Sequence, residues 1–262
     1  MMTEHFEFKT AQLGQHTIAY RHDEPVQFQP NPNQPNLLFL PGFFSDMTGS
    51  KASFLAARCV ADGRRLTRFD YSGHGQSSGK FIDGCIGDWL ADAIAVVDTL
   101  TTGKLILVGS SMGGWIMLLL ALARPERVAG LVGIAAAPDF TQDLVWELLT
   151  PTQKHEMQTN GVLYEPSEYG TPLPYTYKLV EEGRKHLLLR GPIPITCPVR
   201  LIQGKLDNDV PWQTAEKLAV QLQSKDVHIT YIEDGDHRLS RDADLEILWR
   251  EVQDIAGFIN VK

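Results

Sequence analysis

The sequence predicts an α/β protein: a mostly parallel, doubly wound sheet with an antiparallel hairpin at its N-terminus and a small helical insertion. Three observations predict it. NLLFL (36–40), LILV (105–108) and VAGLVGI (128–134) lack in-and-out alternation, the mark of strands buried on both faces. Segments of helical spacing separate them, so repeated βα units and right-handed crossovers follow. The chain, 262 residues with 43% hydrophobic content, is long enough to bury such a sheet, and residues 1–262 are read as one domain.

In chain order, HFEFKTA (5–11) and HTIAYRHD (16–23) alternate around a Gly14–Gln15 turn and form the hairpin. PVQFQPNPNQPN (25–36), rich in Pro, Asn and Gln, is a surface loop. The strand NLLFL leads through PGFFSDMTGS to a helix over 50–62 that stops at Gly63. RLTRFDY (65–71) is a strand and SGHGQSSGKFIDG (72–84) a glycine-rich loop. DWLADAIAVVDTL (88–100) is an amphipathic helix with Asp88 near its positive end. KLILVGS (104–110) is an apolar strand, MGGWIMLLLALA (112–123) an apolar helix, and VAGLVGIAAA (128–137) the next strand. VRLIQGK (199–205) and HITYIED (228–234) complete the sheet, with helices over 214–223 and 243–259. Between residues 139 and 195 the rhythm breaks. LVWELLTPTQKHEM and YTYKLVEEGRK read as helical pieces among Gly/Pro turns, without a core strand, so this is a cap-like insertion over the strand ends.

Composition excludes several roles. The formal net charge is −8 and no Lys/Arg-rich run occurs, whereas phosphate backbones require a clustered basic footprint, so no nucleic-acid partner is expected. MMTEHFEFKT has neither the basic start and apolar run of a secretory signal nor the Arg/Ser-rich character of a transit peptide. WIMLLLALA stops at Arg124–Pro125, short of the about 20 apolar residues that span a bilayer. Cys59, Cys85 and Cys197 are odd in number and widely spaced, and read as reduced thiols of a cytoplasmic protein.

G-x-S-x-G occurs twice, around Ser111 (Gly109, Gly113) and around Ser77 (Gly75, Gly79), so the pattern alone does not choose. Context does. Ser111 stands at the carboxyl end of an apolar strand and just before an apolar helix, where a sharp turn projects its hydroxyl out of the sheet and flanking glycines let strand and helix approach. Ser77 lies in a loop with loops on both sides, and its match is read as accidental. A serine hydroxyl needs a base, and the base an orienting acid. After Ser111 come Asp207, in the loop after VRLIQGK, and His237, in the loop after HITYIED; both lie past carboxyl ends of strands, where ligands bind in such sheets. Asp209 and Asp139 are rivals for the acid. Asp236 reads as a loop residue, and the remaining histidines lie at strand starts, in the insertion or ahead of the serine. The oxyanion needs backbone N–H donors, expected from Met112, just after the nucleophile, and Phe43, after Pro41–Gly42.

Taken in order, LPGF, FDYSGHGQS, VGSSMGGW, GKLDNDVPW and GDH resemble the α/β-hydrolase superfamily from about Phe39 to His237. FLPGFFSDMTGSKA, RFDYSGHGQSSGKF, LVGSSMGGWIMLLLALARPERV and PIPITCPVRLIQGKLDNDVPW look more closely like the mitochondrial acyl-protein thioesterase branch, the abhydrolase domain-containing 10 type. The resemblance implies the α/β-hydrolase fold, with Ser111 as nucleophile, Asp207 as acid and His237 as base. It also implies serine-hydrolase chemistry associated with removing palmitoyl groups from cysteine and cleaving acyl glucuronides. Two departures stand out: the absence of a mitochondrial presequence, which suggests a bacterial relative, and weak likeness across 139–195. Pro41–Gly42 also replaces the His-Gly common in the superfamily.

The expectation is an ester or thioester hydrolase working through an acyl-enzyme on a small-molecule or acyl-group substrate. Phe43, Phe44, Trp115, Trp146, Leu149 and Trp212 are candidate pocket residues. No cofactor, metal or stable membrane association is expected. The other readings are a non-enzymatic binding protein on the same scaffold and a C–C bond hydrolase.

Overall fold

The computed structural model describes residues 7–29, 31, 34–166, 170 and 172–260. The start of the expected hairpin, at His5 and Phe6, and part of the 25–36 loop lie outside the described residues. The chain runs β1 (Lys9–Leu13), β2 (His16–Asp23), β3 (Asn36–Leu40), α1 (Ser50–Ala61), β4 (Leu66–Phe69), α2 (Ile86–Leu100), β5 (Leu105–Ser110), α3 (Met112–Ala123) and β6 (Val128–Ile134). It continues with α4 (Pro151–Asn160), β7 (Val162–Glu165), β8 (Leu173–Thr176) and α5 (Tyr177–Gly183). β9 (Val199–Gly204), α6 (Gln213–Gln221), β10 (Val227–Ile232) and α7 (Asp242–Asn260) close it.

Eight strands form one sheet in the order β1-β2-β4-β3-β5-β6-β9-β10. β1/β2 and β2/β4 are antiparallel, and every pairing from β4 to β10 is parallel. β3 shows why the strands read as unbroken apolar runs. Successive side chains point to opposite faces. Leu38 and Leu40 pack with Trp89 and Val96 of α2 and Leu118 of α3, while Leu37 and Phe39 pack with Leu55 of α1 and Val252 of α7. Both faces are covered, so both need apolar residues, each worth about 1.5–3 kcal/mol when fully buried. The chain leaves β3 toward β4 and later lays β5 along the other side of β3. Loops after β3 and β5 therefore diverge from one point, which opens a crevice at the carboxyl ends of the strands. Among the described residues no helix is long and apolar enough to cross a membrane.

The structure differs from the sequence reading in three places. α2 begins at Ile86, two residues before Asp88, because Cys85 is still extended and the Gly87 N–H is taken by the Glu182 carboxylate at 3.0 Å. LVWELLTPTQKHEM is not one helix. It is a π-helical turn (Thr141–Val145), a tight turn (Trp146–Leu148) and then α4, which restarts at Pro151 because Thr150 and Gln153 form a reciprocal capping box. The insertion also holds an antiparallel hairpin, β7–β8, so it is not purely helical. Tyr175 and Thr176, expected in a helix, belong to β8, since the Thr176 hydroxyl accepts from the Leu179 N–H and starts α5 only at Tyr177.

Candidate active site

Ser111 sits between β5 and α3 with φ 53° and ψ −119°, a strained backbone for a non-glycine residue, costing about 1–3 kcal/mol. Neighbours hold it there. Its N–H donates to Ile134 O at 2.9 Å, and its carbonyl accepts from Gly114 N at 2.8 Å and Ala137 N at 3.1 Å. The tightness explains the glycines: a Cβ on Gly109 would lie 2.4 Å from Gly113 O, and one on Gly113 would lie 2.0 Å from Leu40 O. Met112 opens α3, so its N–H is one of the helix's first donors, which have no intrahelical partner.

β9 and β10 deliver the other two side chains. His237 Nε2 lies 3.1 Å from Ser111 Oγ, and its Nδ1 lies 2.8 Å from Asp207 Oδ2. Asp207 has a side chain with 0% exposure, and hydrogen bonds compensate its burial. Oδ1 accepts from Asp209 N at 2.9 Å and Val210 N at 2.8 Å; Oδ2 accepts from Gln203 Nε2 at 3.0 Å. A carboxylate only accepts, so Nδ1 is the ring's donor and Nε2 presents its lone pair to the hydroxyl. Gln203 was not singled out from the sequence; it is a buried polar residue inside an apolar strand, a legible signal.

Asp139, Asp236, Ser77 and His186 are occupied elsewhere, whereas the Asp209 carboxylate stays close to Asp207 and His237. Both carboxylate oxygens of the buried Asp139 hold backbone N–H groups, of Leu188 at 2.7 Å and Leu189 at 2.9 Å, and burial pushes its carboxyl above the ordinary range. Asp236 caps the His237 loop by accepting from Leu239 N at 3.0 Å. Ser77 staples two segments: its hydroxyl accepts from Ala19 N at 2.8 Å and donates to Asp70 O at 2.7 Å. His186 pairs with Glu182 at 2.7 Å. Asp207, Asp209 and His237 are the one group with metal-ligand spacing among the described residues, their atoms lying within 4.8 Å of one another. The Asp207 oxygens and His237 Nδ1 are already spent on the hydrogen bonds above.

A cleft of about 680 Å³ opens beside Ser111, a size suited to a small organic ligand. Pro41–Gly42–Phe43 runs along it, and a Cβ on Gly42 would lie 3.4 Å from Ser111 Cβ, so this loop passes directly beside the serine. Phe43 and Phe44 line the cleft, together with Phe140, Leu144, Leu173 and Tyr175, which the sequence did not single out. Lys51 lies at its edge, donating to the Arg238 carbonyl; burial, then the nearby Arg238 charge, brings its ammonium down to about 8 against the pull of Asp236 and Asp244.

Four residues expected in the pocket lie elsewhere. Trp115, fully buried one turn into α3, packs on Phe140 and donates its indole N–H to His186 O at 3.1 Å. Trp146 is half-buried against the core and faces Tyr177, Lys154 and Arg184. Leu149 is buried in the core. Trp212 packs edge-on against Tyr231 with the Lys205 ammonium 3.7 Å from its ring centre. Each is apolar, but its element turns it away from the crevice.

A family model described as the alpha/beta hydrolase fold matches residues 35–164. The bovine mitochondrial palmitoyl-protein thioesterase ABHD10 is 37% identical over 261 residues, covering 94% of this chain and 85% of the relative. Among solved structures, a provisionally named hydrolase from Agrobacterium vitis superposes with a TM-score of 0.90 at 41% identity, covering 95% of this chain and 98% of the other. The mouse alpha/beta hydrolase domain-containing protein 10 gives 0.87 at 34% identity, covering 97% and 100%.

Proposed function

The chain belongs to the α/β-hydrolase family, and from that premise we propose that Ser111, His237 and Asp207 work as nucleophile, base and orienting acid in cleaving carboxylic ester or thioester bonds. The observation that carries this reading is the 3.1 Å contact between His237 Nε2 and Ser111 Oγ, backed by the 2.8 Å contact of Nδ1 with a buried, fully hydrogen-bonded carboxylate. His237 takes the Ser111 proton as Oγ attacks the acyl carbon. The tetrahedral oxyanion receives hydrogen bonds from the Met112 and Phe43 N–H groups, a role supported by Met112 opening α3 and by the Gly42 backbone passing close to Ser111. The intermediate collapses, His237 gives its proton to the departing oxygen or sulfur, and an acyl-serine remains. Water, deprotonated by the same imidazole, then attacks the acyl carbon and releases the acid.

For the substrate we propose a long-chain acyl thioester. Two findings support this: the relatives' named activity as palmitoyl-protein thioesterases and the apolar residues Phe140, Leu144 and Leu173 in the lining of the cleft that Ser111 shares. The chain is taken as one domain with residues 139–195 as a cap-like insertion. A cytoplasmic site of action is proposed, in keeping with three free thiols, two of them buried. The test is the Ser111→Ala variant, assayed on p-nitrophenyl acetate and on an S-palmitoyl peptide. Turnover of both should fall by about 10³-fold or more, because the triad acts as a unit. Unchanged turnover would remove Ser111 from the reaction.

A further inference from the structure

We propose that Tyr175, on β8 of the inserted hairpin, is a positioning residue that holds Phe43 where its N–H meets the oxyanion. The inference rests on the serine-hydrolase reading above.

The loop from β3 to α1 is anchored at both ends and strained between them. At its start, Gly42 lies against Ser110 and Ser111. At its far end Met47 is gripped twice: its N–H donates to Asp70 Oδ1 at 2.7 Å, and its carbonyl accepts from Arg68 Nη1 at 3.0 Å. Between the anchors Phe44 has φ 57°, a left-handed backbone on a residue with a bulky side chain. Such a conformation persists only where the surroundings over-determine it. Here those surroundings are rings. Phe81 sits edge-on to Phe44 at 4.9 Å. Phe43 meets Phe81 at 4.8 Å, Phe140 at 5.6 Å and Trp89 at 6.1 Å, all edge-on. Its one parallel stack is on Tyr175, at 5.2 Å and 2°. Phe81 and Trp89 belong to the segment around α2, and Phe140 stands at the root of the insertion. Of the four rings, Tyr175 is the one from the distal hairpin.

Tyr175 also lines the cleft. An acyl chain in the cleft and the oxyanion donor thus share one side chain. A shift of the hairpin by a fraction of its 5.2 Å stack would move Phe43, and a displaced donor loses much of its effect on the transition state while leaving ground-state binding alone.

The test compares Tyr175→Leu, which removes the ring, with Tyr175→Phe, which keeps it, using p-nitrophenyl acetate, whose acyl group is too short to run along the wall. For Tyr175→Leu, kcat should fall about tenfold with KM within about twofold of wild type. The rate of labelling by a fluorophosphonate should fall by the same factor. Tyr175→Phe should match wild type in both. If Tyr175→Leu instead keeps full kcat on the acetate and raises only KM for an S-palmitoyl peptide, Tyr175 is a pocket wall and the proposal is overturned. Should Tyr175→Leu melt below the assay temperature, the Phe43→Leu variant breaks the same stack from the other side and must reproduce the kcat loss; full kcat there equally overturns it. Persistent activity in Ser111→Ala marks failure of the hydrolase reading instead.

Discussion

Asp207 combines three tasks in one carboxylate: it closes its own turn through Asp209 and Val210, it accepts from Gln203, and it fixes the tautomer of His237. An asparagine there keeps the size but offers an N–H₂ group, so the imidazole can turn its protonated nitrogen toward Ser111. Asp207→Asn should therefore lose about 10⁴-fold in kcat while the fold survives, read from ester turnover alongside circular dichroism; a loss under tenfold would mean the acid lies elsewhere. A second prediction concerns His74, ringed by Tyr71, Phe81 and Trp89, whose imidazole burial pushes down to about 4. The unfolded chain takes up this proton near 6.5, the native state only near 4. Stability is thus lost as pH falls between those values, by roughly 3 kcal/mol at most at pH 4.5. Buried Asp70, Asp92 and Asp139, with raised pKa values, act in the opposite sense and are common to both proteins compared. Melting temperature should fall more steeply from pH 6.5 to 4.5 in wild type than in His74→Gln; equal slopes would contradict the assignment. At this scale the order Ser111, Asp207, His237 was legible because each follows a strand readable by its apolar run. Trp115, Trp146, Leu149 and Trp212 were misplaced because apolarity tells that a side chain is buried, not against what.

At the scale of elements, the close approach of α3 to β3 is the tightest constraint. Gly113→Ala would put a Cβ 2.0 Å from Leu40 O and 2.5 Å from Pro41 O, backbone atoms that cannot yield locally. The variant should lose about 3 kcal/mol of stability and most of its esterase activity, because β3 carries the Phe43 loop and α3 carries Met112. Thr150→Ala, by contrast, breaks the capping box of α4 and should cost only about 1 kcal/mol with activity intact. Urea denaturation with parallel ester assays separates the two; equal losses would contradict this ranking. Strands covered on both faces were readable as such, while β7 and β8 were not. Each has four residues, one of them buried in β7 and two in β8, too short for alternation to register. The Thr150–Pro151–Gln153 pattern carried the missing helix start in plain sight, whereas the π-helical turn at Thr141–Val145 has no sequence signature we can identify.

Over the whole molecule, the sheet order does the assembling. Ser111 and His237 are 126 residues apart, and Asp207 and His237 are 30 apart, yet the loops after β5, β9 and β10 open on the same edge of one parallel sheet. A parallel sheet puts every carboxyl end on one side, so the architecture read from apolar runs already implied that these loops could meet. What it did not imply is the shape of the cleft. Its far wall comes from the insertion, whose base is tied by Asp139 reaching across to Leu188 and Leu189, and long-range ties of that kind leave no local pattern. The central claim is that the sheet brings one hydroxyl, one imidazole and one carboxylate into working contact. Its most direct test is the intact mass of the folded protein after brief exposure to a fluorophosphonate, followed by peptide mapping. The account predicts a single adduct on Ser111, retained in Ser77→Ala and slowed by orders of magnitude in His237→Ala. An adduct on another residue, or none on protein that melts cooperatively, would contradict it.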